Sequence, residues 1–182
     1  MRISPPALSE AWHASLAFHG HACPGLALGC RVAVEALVLC GFPGPSVDEE
    51  LVCVAETDSC AVDAIQAVTG CTLGKGNLIL RMRGKHAFSF FARGRDMAVR
   101  FLWTDTNKDI ARDLRIERYL TAPANEVYIT ALPGYALPEK ALLSPSLVCA
   151  RCGEKTSEPH VRLHEGQYLC LDCHAPCSRI IL

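Results

Sequence analysis

A chain of 182 residues that is half hydrophobic and one-fifth charged is long enough for one domain with a full core plus a small module. Its net charge of −1 gives no general attraction to nucleic acid or to anionic membranes, so we expect neither class of partner. The sequence has no run of about eighteen uncharged apolar residues, which excludes a membrane-spanning helix.

The cysteine content and the N-terminal residues together predict the cellular compartment. Eleven cysteines are many, and residues 1–25 lack the continuous apolar segment of a signal peptide. We therefore expect a cytoplasmic protein. In reducing surroundings, cysteines serve metal binding or thiol chemistry more often than disulfides.

The first half of the chain predicts a buried helix, a strand and a second helix. Pro24 suits the first turn of a helix and Gly41 suits its end, and the residues between them are apolar on nearly every side. The valine-rich run of residues 50–56 predicts a strand. The second helix is predicted to begin near residues 58–59 and to close at Gly70.

The elements that follow predict a sheet. Residues 77–83, 86–93 and 96–103 are short runs separated by Gly-Lys and Gly-Arg pairs, a spacing typical of an antiparallel meander. Residues 107–121 have apolar side chains at helical spacings, and residues 125–132 predict another strand. The predicted fold class is α+β, with a mostly antiparallel sheet packed against helices and a small four-cysteine zinc ribbon after it.

A change in composition marks the domain boundary. Three prolines within residues 133–146 predict a linker, after which paired cysteines dominate. We place a core domain at residues 1–135, a linker at 136–148 and a zinc-ribbon module at 149–182.

Two C-x-x-C pairs in this module predict a structural zinc ion. Cys149, Cys152, Cys170 and Cys173 form the four-cysteine pattern, in which each turn places two thiolates on one side of the metal. A module of about 34 residues cannot build much core, so the metal would supply most of its folding energy.

Two other metal chemistries fit part of this pattern. Cys170 to His174 also matches the C-x-x-C-H motif of haem attachment, although that interpretation leaves the first cysteine pair unexplained. A rubredoxin-like iron site uses the same four thiolates, so zinc versus iron stays open. His174 and Cys177 are spare potential metal ligands. The numbers of acidic and basic residues in the module are balanced, which argues against nucleic-acid binding.

The stretch "FHGHACPG" and the later "DSC" predict a second metal site. Cys23 and Cys60 both fall at predicted helix N-termini, where the helix dipole lowers a thiol pKa. In an extended segment His19, His21 and Cys23 would share one side, and Cys60 would complete a nitrogen and sulfur ligand set for zinc or another transition metal. The alternative is that these are hydrogen-bonded histidines and small buried cysteines.

The stretch "GCTLGKGN" is not a phosphate-binding P-loop, because its glycine spacing is one residue short and no Ser or Thr follows the lysine. Lys75 still offers a cation for an anionic group, with a plain turn as the alternative. The predicted catalytic residues are Cys60, His21 and Lys75, and Cys71 is a further ligand or redox partner of Cys60.

Three fragments in this order, "FHGHACPGLALGCRVA", "AETDSCAVDAIQAVTGCTLGKGNL" and "GKHAFSFF", resemble the FmdE family, which takes its name from formylmethanofuran dehydrogenase. The resemblance spans most of residues 12–135, and the paired cysteines at 149–173 match a ribbon common in that family. It implies an α+β core that forms homodimers and carries a cleft, whose residues here would be His19, His21, Cys23, Cys60, Cys71 and Lys75.

Three functions are left open. The first is a metal-binding accessory protein or subunit of a molybdenum or tungsten oxidoreductase of the formylmethanofuran dehydrogenase type. In that complex the resemblance assigns the pterin cofactor to other subunits. The second is a stand-alone enzyme whose cleft metal or thiolate acts on a small anionic substrate. The third is a regulatory or scaffold protein that binds its partner through the ribbon.

Overall fold

The chain divides into two compact units, Met1–Ala141 and Leu142–Leu182, of which the computed structural model describes residues 7–105 and 109–175. Within these ranges no helix is long and apolar enough to cross a membrane. The elements of the first unit are α1 Leu8–His19, α2 Pro24–Cys40, β1 Leu51–Ala55, α3 Ala61–Thr69, β2 Leu78–Leu80, β3 Ala87–Ala92, β4 Met97–Trp103, α4 Arg112–Thr121, α5 Ala124–Val127 and β5 Tyr128–Ala131.

The five strands form one sheet in the order β2-β1-β3-β4-β5. Only β1 and β2 are parallel, and the other three pairings are antiparallel. Every residue of β1 and β3 is buried, which explains why these strands have unbroken apolar runs in place of alternation. The prediction of an α+β fold with a mostly antiparallel sheet is confirmed.

The predicted meander is wrong at its first strand. β2 does not pair with β3, because α3 carries the chain back so that β2 lies parallel to β1 on the other side. Buried Asn77 fixes this position: its side-chain amide donates to the carbonyls of Asp48 and Leu51 at 2.9 and 3.0 Å. The chain then passes the end of β1, where the Glu56 carbonyl accepts the backbone N–H groups of Arg83 and Lys85.

Three other boundaries differ from the predictions. The helix expected from residue 107 begins at Arg112, and residues 106–108 lie outside the described part of the chain. The strand expected from residue 125 starts with the single helical turn α5 and pairs only from Tyr128. A helix that the sequence analysis did not anticipate, α1, precedes α2.

Helix α2 packs on one face of the sheet and contacts both α1 and α3, and a pair of glycines lets α2 and α3 approach closely. A methyl group added at Gly29 would lie 2.3 Å from the Ala61 carbonyl oxygen, and one at Gly25 would lie 3.3 Å from Cβ of Cys60. These glycines are four residues apart, so they share one side of α2. The first turn of α3 therefore rests against the bare backbone of α2.

The opposite face of the sheet is covered by the end of the first unit. The Tyr135 hydroxyl donates to Oγ of Ser89 at 2.8 Å, and the guanidinium of Arg93 donates to the Pro138 carbonyl at 3.0 Å. The N–H of Ala141 donates to the Glu49 carboxylate. Residues 136–141, assigned to a linker from the sequence, thus have hydrogen-bonded partners in the first unit.

The second unit is built from two short hairpins. Its elements are β6 Ser146–Val148, β7 Lys155–Ser157, a 3-10 helix Glu158–His160, β8 Val161–His164 and β9 Gln167–Cys170. β6 pairs with β7 and β8 pairs with β9, both antiparallel. Its small buried cluster contains Leu169 and cysteines, so packing alone gives this unit little core.

The substitution Gly29→Ala tests the contact between α2 and α3. The new methyl group would meet the Ala61 backbone, which cannot rotate away as a flexible side chain can. We expect the free energy of unfolding to fall by about 1–3 kcal/mol despite the better helix propensity of alanine. Urea denaturation followed by circular dichroism measures the change.

The matched control for that variant is Gly44→Ala, because Gly44 faces open space. We expect this control to change stability by less than about 0.5 kcal/mol. Equal stability of the two variants would show that the close approach of α2 and α3 is not a constraint.

Candidate metal centres

Cys23 occupies the N-cap of α2 with an extended backbone. Its Sγ accepts the backbone N–H of Leu26 at 3.3 Å, as a capping serine oxygen would. Pro24 follows at the first helical position and needs no hydrogen-bond partner for its nitrogen. The side chain is 7% exposed, so the sulfur sits just beneath the surface, beside the positive end of the helix.

His19 reaches Cys23 by a different route from the one predicted. The segment is not extended: His19 is the last residue of α1, and Gly20 then reverses the chain with φ of 89°. This left-handed conformation suits glycine, and it returns the backbone so that Nε2 of His19 lies 3.9 Å from Sγ of Cys23. Because His19 is helical, the alternation of side chains along a strand does not explain why His19 and Cys23 lie close together.

Cys60 completes a three-residue group at the start of α3. Ligand atoms of His19, Cys23 and Cys60 all lie within 4.8 Å of one another. In a tetrahedral zinc site a sulfur and a nitrogen ligand are roughly 3.6 Å apart, so small side-chain adjustments would suffice. One imidazole and two thiols fit zinc or a similar borderline-soft ion, and three protein ligands leave a fourth position open.

Asp63 stands behind this group and orients the histidine. Its Oδ2 lies 2.7 Å from Nδ1 of His19, which places the proton on Nδ1 and leaves Nε2 as the acceptor facing the two cysteines. A carboxylate on the far nitrogen is the usual support of a metal-binding histidine. Asp63 and Cys60 are three residues apart, so both lie on the same side of α3.

The pKa of Cys60 is raised, against the expectation of a lowered value at a helix N-terminus. Burial is the largest cause, followed by a hydrogen bond and charge repulsion from Cys23. A backbone hydrogen bond at Cys60 lowers its pKa but does not offset these causes. Two adjacent thiols that resist joint ionisation are stabilised as thiolates by a cation between them.

Two of the predicted site residues lie elsewhere. His21 is exposed and belongs to neither candidate metal group, although its ring contacts that of His19 at 4.4 Å between centroids. Lys75 is held at the other end of α3, where Nζ donates to the Ser46 carbonyl at 2.8 Å and Ser46 in turn bonds to Thr69. Nine helical residues, about 14 Å, separate that end from Cys60.

The remaining cysteines of the first unit are buried thiols. Cys71 is fully buried and donates to the Leu51 carbonyl at 3.4 Å. Burial raises the pKa of Cys71, Cys30 and Cys40 to about 11, and it also raises that of Cys53 well above its ordinary value. Such thiols stay protonated at neutral pH and behave as small apolar side chains.

A cavity of about 130 Å³ opens beside the three-residue group. The lining residues are Pro24, Gly25, Leu28, His86, Trp103, Arg115 and Tyr119. Two contacts place it next to the cysteines: Pro24 directly follows Cys23, and Nδ1 of His86 lies 3.3 Å from Oγ of Ser59, the neighbour of Cys60.

The four cysteines of the second unit come together as the C-x-x-C pattern predicts. Ligand atoms of Cys149, Cys152, Cys170 and Cys173 all lie within 4.8 Å of one another. The Cys152 and Cys170 sulfurs are 3.9 Å apart, close to the roughly 3.8 Å edge of a tetrahedral zinc–sulfur site. The four thiols fit a closed, four-coordinate site.

Backbone amides favour the thiolate form in this group. Hydrogen bonds from the backbone of Cys152 and Cys170 lower the pKa of Cys149 to about 6, whereas the neighbouring sulfurs raise that of Cys173 to about 12. His174 donates its backbone N–H to the Cys170 carbonyl, and its ring lies 5.7 Å from that of His164. Cys177 lies outside the described residues.

Sequence reasoning missed several residues around the first group. Asp63 could have been found from the sequence, because a residue three positions after Cys60 in a predicted helix lies on the same side of that helix. His86, Trp103, Arg115 and Tyr119 carry none, because they come from β4, α4 and the loop before β3. Only the folded sheet brings them to the N-terminus of α2.

Comparison with known proteins agrees with the resemblance of the motifs. The family model described as FmdE, molybdenum formylmethanofuran dehydrogenase operon, matches residues 18–129, more than half of the chain. The matched region holds every residue of the first metal group and of its adjacent cavity. The family resemblance drawn from the sequence motifs is confirmed.

Two known proteins are similar to this chain. The crystal structure of a tungsten formylmethanofuran dehydrogenase FmdE-like protein from Syntrophus aciditrophicus matches with a TM-score of 0.67 over 94% of each chain, at 22% identity, which shows a shared fold. A probable S-adenosyl-L-methionine-binding protein of Archaeoglobus fulgidus is 40% identical over 79 residues. That stretch is 42% of this chain and 22% of the relative, so the chain spans about a fifth of its length.

The substitution Asp63→Asn tests the support of His19. An amide in place of the carboxylate weakens the hydrogen bond to Nδ1 and no longer favours one tautomer. We expect zinc affinity of the first group to fall by about 10–100-fold, measured by competition with a chromophoric chelator. Asp96→Asn, in an exposed turn, is the control and should leave affinity unchanged. Equal affinities would remove Asp63 from the site.

Metal removal tests the dependence of the second unit on its four cysteines. We expect a strong chelator to abolish slow hydrogen exchange in residues 146–170, because little apolar burial remains to hold the hairpins. The sheet of the first unit should keep its protection, since its core is extensive. Cys149→Ser should reproduce the chelator's effect without added chelator. Retained protection in both samples would show that the hairpins fold without metal.

Proposed function

The chain belongs to the FmdE family, and from this premise we propose that it is a metal-binding protein with two sites of different kinds. The first unit would hold zinc or another transition metal between His19, Cys23 and Cys60, with one coordination position open to a ligand. The second unit would hold a structural zinc ion between its four cysteines.

The observation that carries this proposal is the convergence of three ligand atoms with a carboxylate behind the histidine. Two thiols and an imidazole within 4.8 Å of one another offer the sulfur and nitrogen ligands that a single borderline-soft cation takes. The Asp63 carboxylate at 2.7 Å gives the imidazole the tautomer that a metal requires.

The chemistry available at the first site follows from its open side. A divalent ion held there would supply a Lewis acid for an oxygen atom of a bound ligand. The residues of the chain hold the ion from the helix side: Cys23 from the start of α2, Cys60 from the start of α3 and His19 from the end of α1. The cavity lined by Gly25 and His86 lies beside the start of α2.

Elemental analysis by mass spectrometry tests the two sites. We expect two metal ions per wild-type chain, one in Cys60→Ala and one in Cys149→Ala, because each variant removes one ligand set. Cys40→Ala is the matched control, since it removes a buried thiol that belongs to neither group, and it should keep both metals. One metal in the wild type, lost only from Cys149→Ala, would reduce the first group to a thiol pocket.

We further propose that the chain acts as an accessory protein or subunit of a molybdenum or tungsten oxidoreductase of the formylmethanofuran dehydrogenase type. The description of the family model and that of the solved relative support this association. Affinity purification of the native chain should bring down a large oxidoreductase. A clean homodimer without such a partner would contradict the association and leave the metal proposal standing.

A second candidate function is a stand-alone enzyme, and the cavity beside Cys60 favours it. A pocket next to an open coordination position is the arrangement in which a metal or thiolate meets a small substrate. Lys75, predicted from the sequence to hold an anionic substrate, cannot do so from the far end of α3. Turnover by the purified chain alone would separate this function from an accessory one.

A further inference from the structure

We propose that Cys23 and Cys60 form a reversible disulfide with each other when the first group holds no metal, so that the same two sulfurs either bind the ion or bond to each other. The inference rests on the proposed function and deepens it, because it makes metal binding at this group depend on the oxidation state of its thiols. It names a modification that metal binding alone does not require.

The two sulfurs are already close in the folded chain. The sulfur atoms of Cys23 and Cys60 lie within 4.8 Å of each other, and a hydrogen bond joins the two thiols. A disulfide draws its sulfurs to about 2.0 Å. A change of side-chain rotamer moves a cysteine sulfur far enough to close such a gap. The reduced pair therefore stands one small adjustment away from the bonded one.

The backbones that carry these sulfurs are in contact as well. Gly25 comes two residues after Cys23, and a methyl group added there would lie 3.3 Å from Cβ of Cys60. Gly29, one turn further along α2, lies against the backbone of Ala61, the residue after Cys60. Close packing of α2 and α3 thus holds the two cysteines next to each other before any bond forms.

The exposures of the two thiols differ, and this difference assigns each a role. Cys60 is partly exposed, whereas Cys23 is 7% exposed. A small disulfide in solution, written RSSR, therefore meets the sulfur of Cys60 first. The sulfur of Cys23 is held in place by the N–H of Leu26 at 3.3 Å, so it is positioned to react with Cys60 rather than with solvent.

The exchange consumes one RSSR and releases two RSH. The Cys60 thiolate attacks one sulfur of RSSR, the S–S bond breaks, and the first RS⁻ leaves and takes up a proton. The Cys23 thiolate then attacks the Cys60 sulfur, the bond to the remaining RS group breaks, and the second RS⁻ leaves and is protonated. The protein thiols give up two electrons and two protons, which RSSR receives. A reducing dithiol reverses both steps.

The other thiols of the first unit lack this access. Cys30, Cys53 and Cys71 are fully buried, and Cys40 is 1% exposed. Cys53 and Cys71 are close enough to influence each other electrostatically, yet both lie within the apolar core. Oxidation of the folded first unit by a small disulfide should therefore stop at the single pair of Cys23 and Cys60.

Intact-protein mass spectrometry after thiol exchange tests the pair. Metal is removed with a chelator and hydroxyethyl disulfide is added; the double variant with Cys23→Ser and Cys60→Ser sets the baseline, because it keeps the ribbon thiols. Relative to that baseline, we expect the wild type to lose two hydrogen atoms. Cys23→Ser should instead stop with one mercaptoethanol group on Cys60, and Cys60→Ser should match the baseline. Serine is a favoured N-cap residue, so Cys23→Ser should keep the start of α2.

Cys40→Ala is the matched control, since it removes a buried thiol outside the pair, and it should form the disulfide as the wild type does. Zinc added before the oxidant should slow disulfide formation at least about tenfold, because the ion occupies both sulfurs. The oxidised first group should take up no zinc until dithiothreitol restores the thiols. A folded wild-type chain that keeps both thiols, or that stops with a mercaptoethanol group on Cys60, would overturn the proposal.

Metal content of the same samples separates this inference from the proposed function. Two metals per reduced chain, with no disulfide after their removal, would overturn the disulfide and leave both metal sites standing. A disulfide between Cys23 and Cys60 in protein whose reduced first group takes up no metal would support the thiol pair and contradict the first metal site.

Discussion

The close approach of helices α2 and α3 is the constraint on which the first metal group depends. Gly29 lies against the Ala61 backbone, and Gly25 lies against Cys60, so the two helices meet at their N-terminal ends. Each helix begins with a cysteine at its N-cap, and contact at these ends brings the two sulfurs together. A side chain at position 29 would push α2 and α3 apart and would thereby separate the sulfurs of Cys23 and Cys60.

The two metal groups depend on the fold in opposite ways. In the second unit, the spacing of Cys149 and Cys152 already sets the geometry of a turn, and the metal would hold the hairpins together. In the first unit, an extensive core positions His19, Cys23 and Cys60 before any ion arrives. A site preformed by the core can leave a ligand position open, whereas a site that holds its own fold together has to be closed.

This difference explains what the sequence could and could not predict. Local signals gave the ends of α2, the strand β1 and the four ribbon cysteines, because capping, apolar runs and C-x-x-C spacing act within a few residues. The position of β2 in the sheet was not predicted, because the crossover through α3 and the hydrogen bonds of Asn77 decide it. His19 was placed near Cys23 for the wrong reason, since a glycine turn rather than strand alternation joins them.

The cation of the cavity shows the same limit most clearly. Lys75 attracted attention because glycines flank it, yet its ammonium is used to tie the loop before β1 to the end of α3 through the Ser46 carbonyl. Arg115 has no distinctive neighbours in the sequence, and α4 delivers it to the N-terminus of α2 from some ninety residues away. The Lys75 charge is satisfied by the backbone carbonyls of Ser46 and Val47, so this lysine serves the fold, whereas the residues that line the cavity beside Cys23 come from parts of the chain that no local pattern connects.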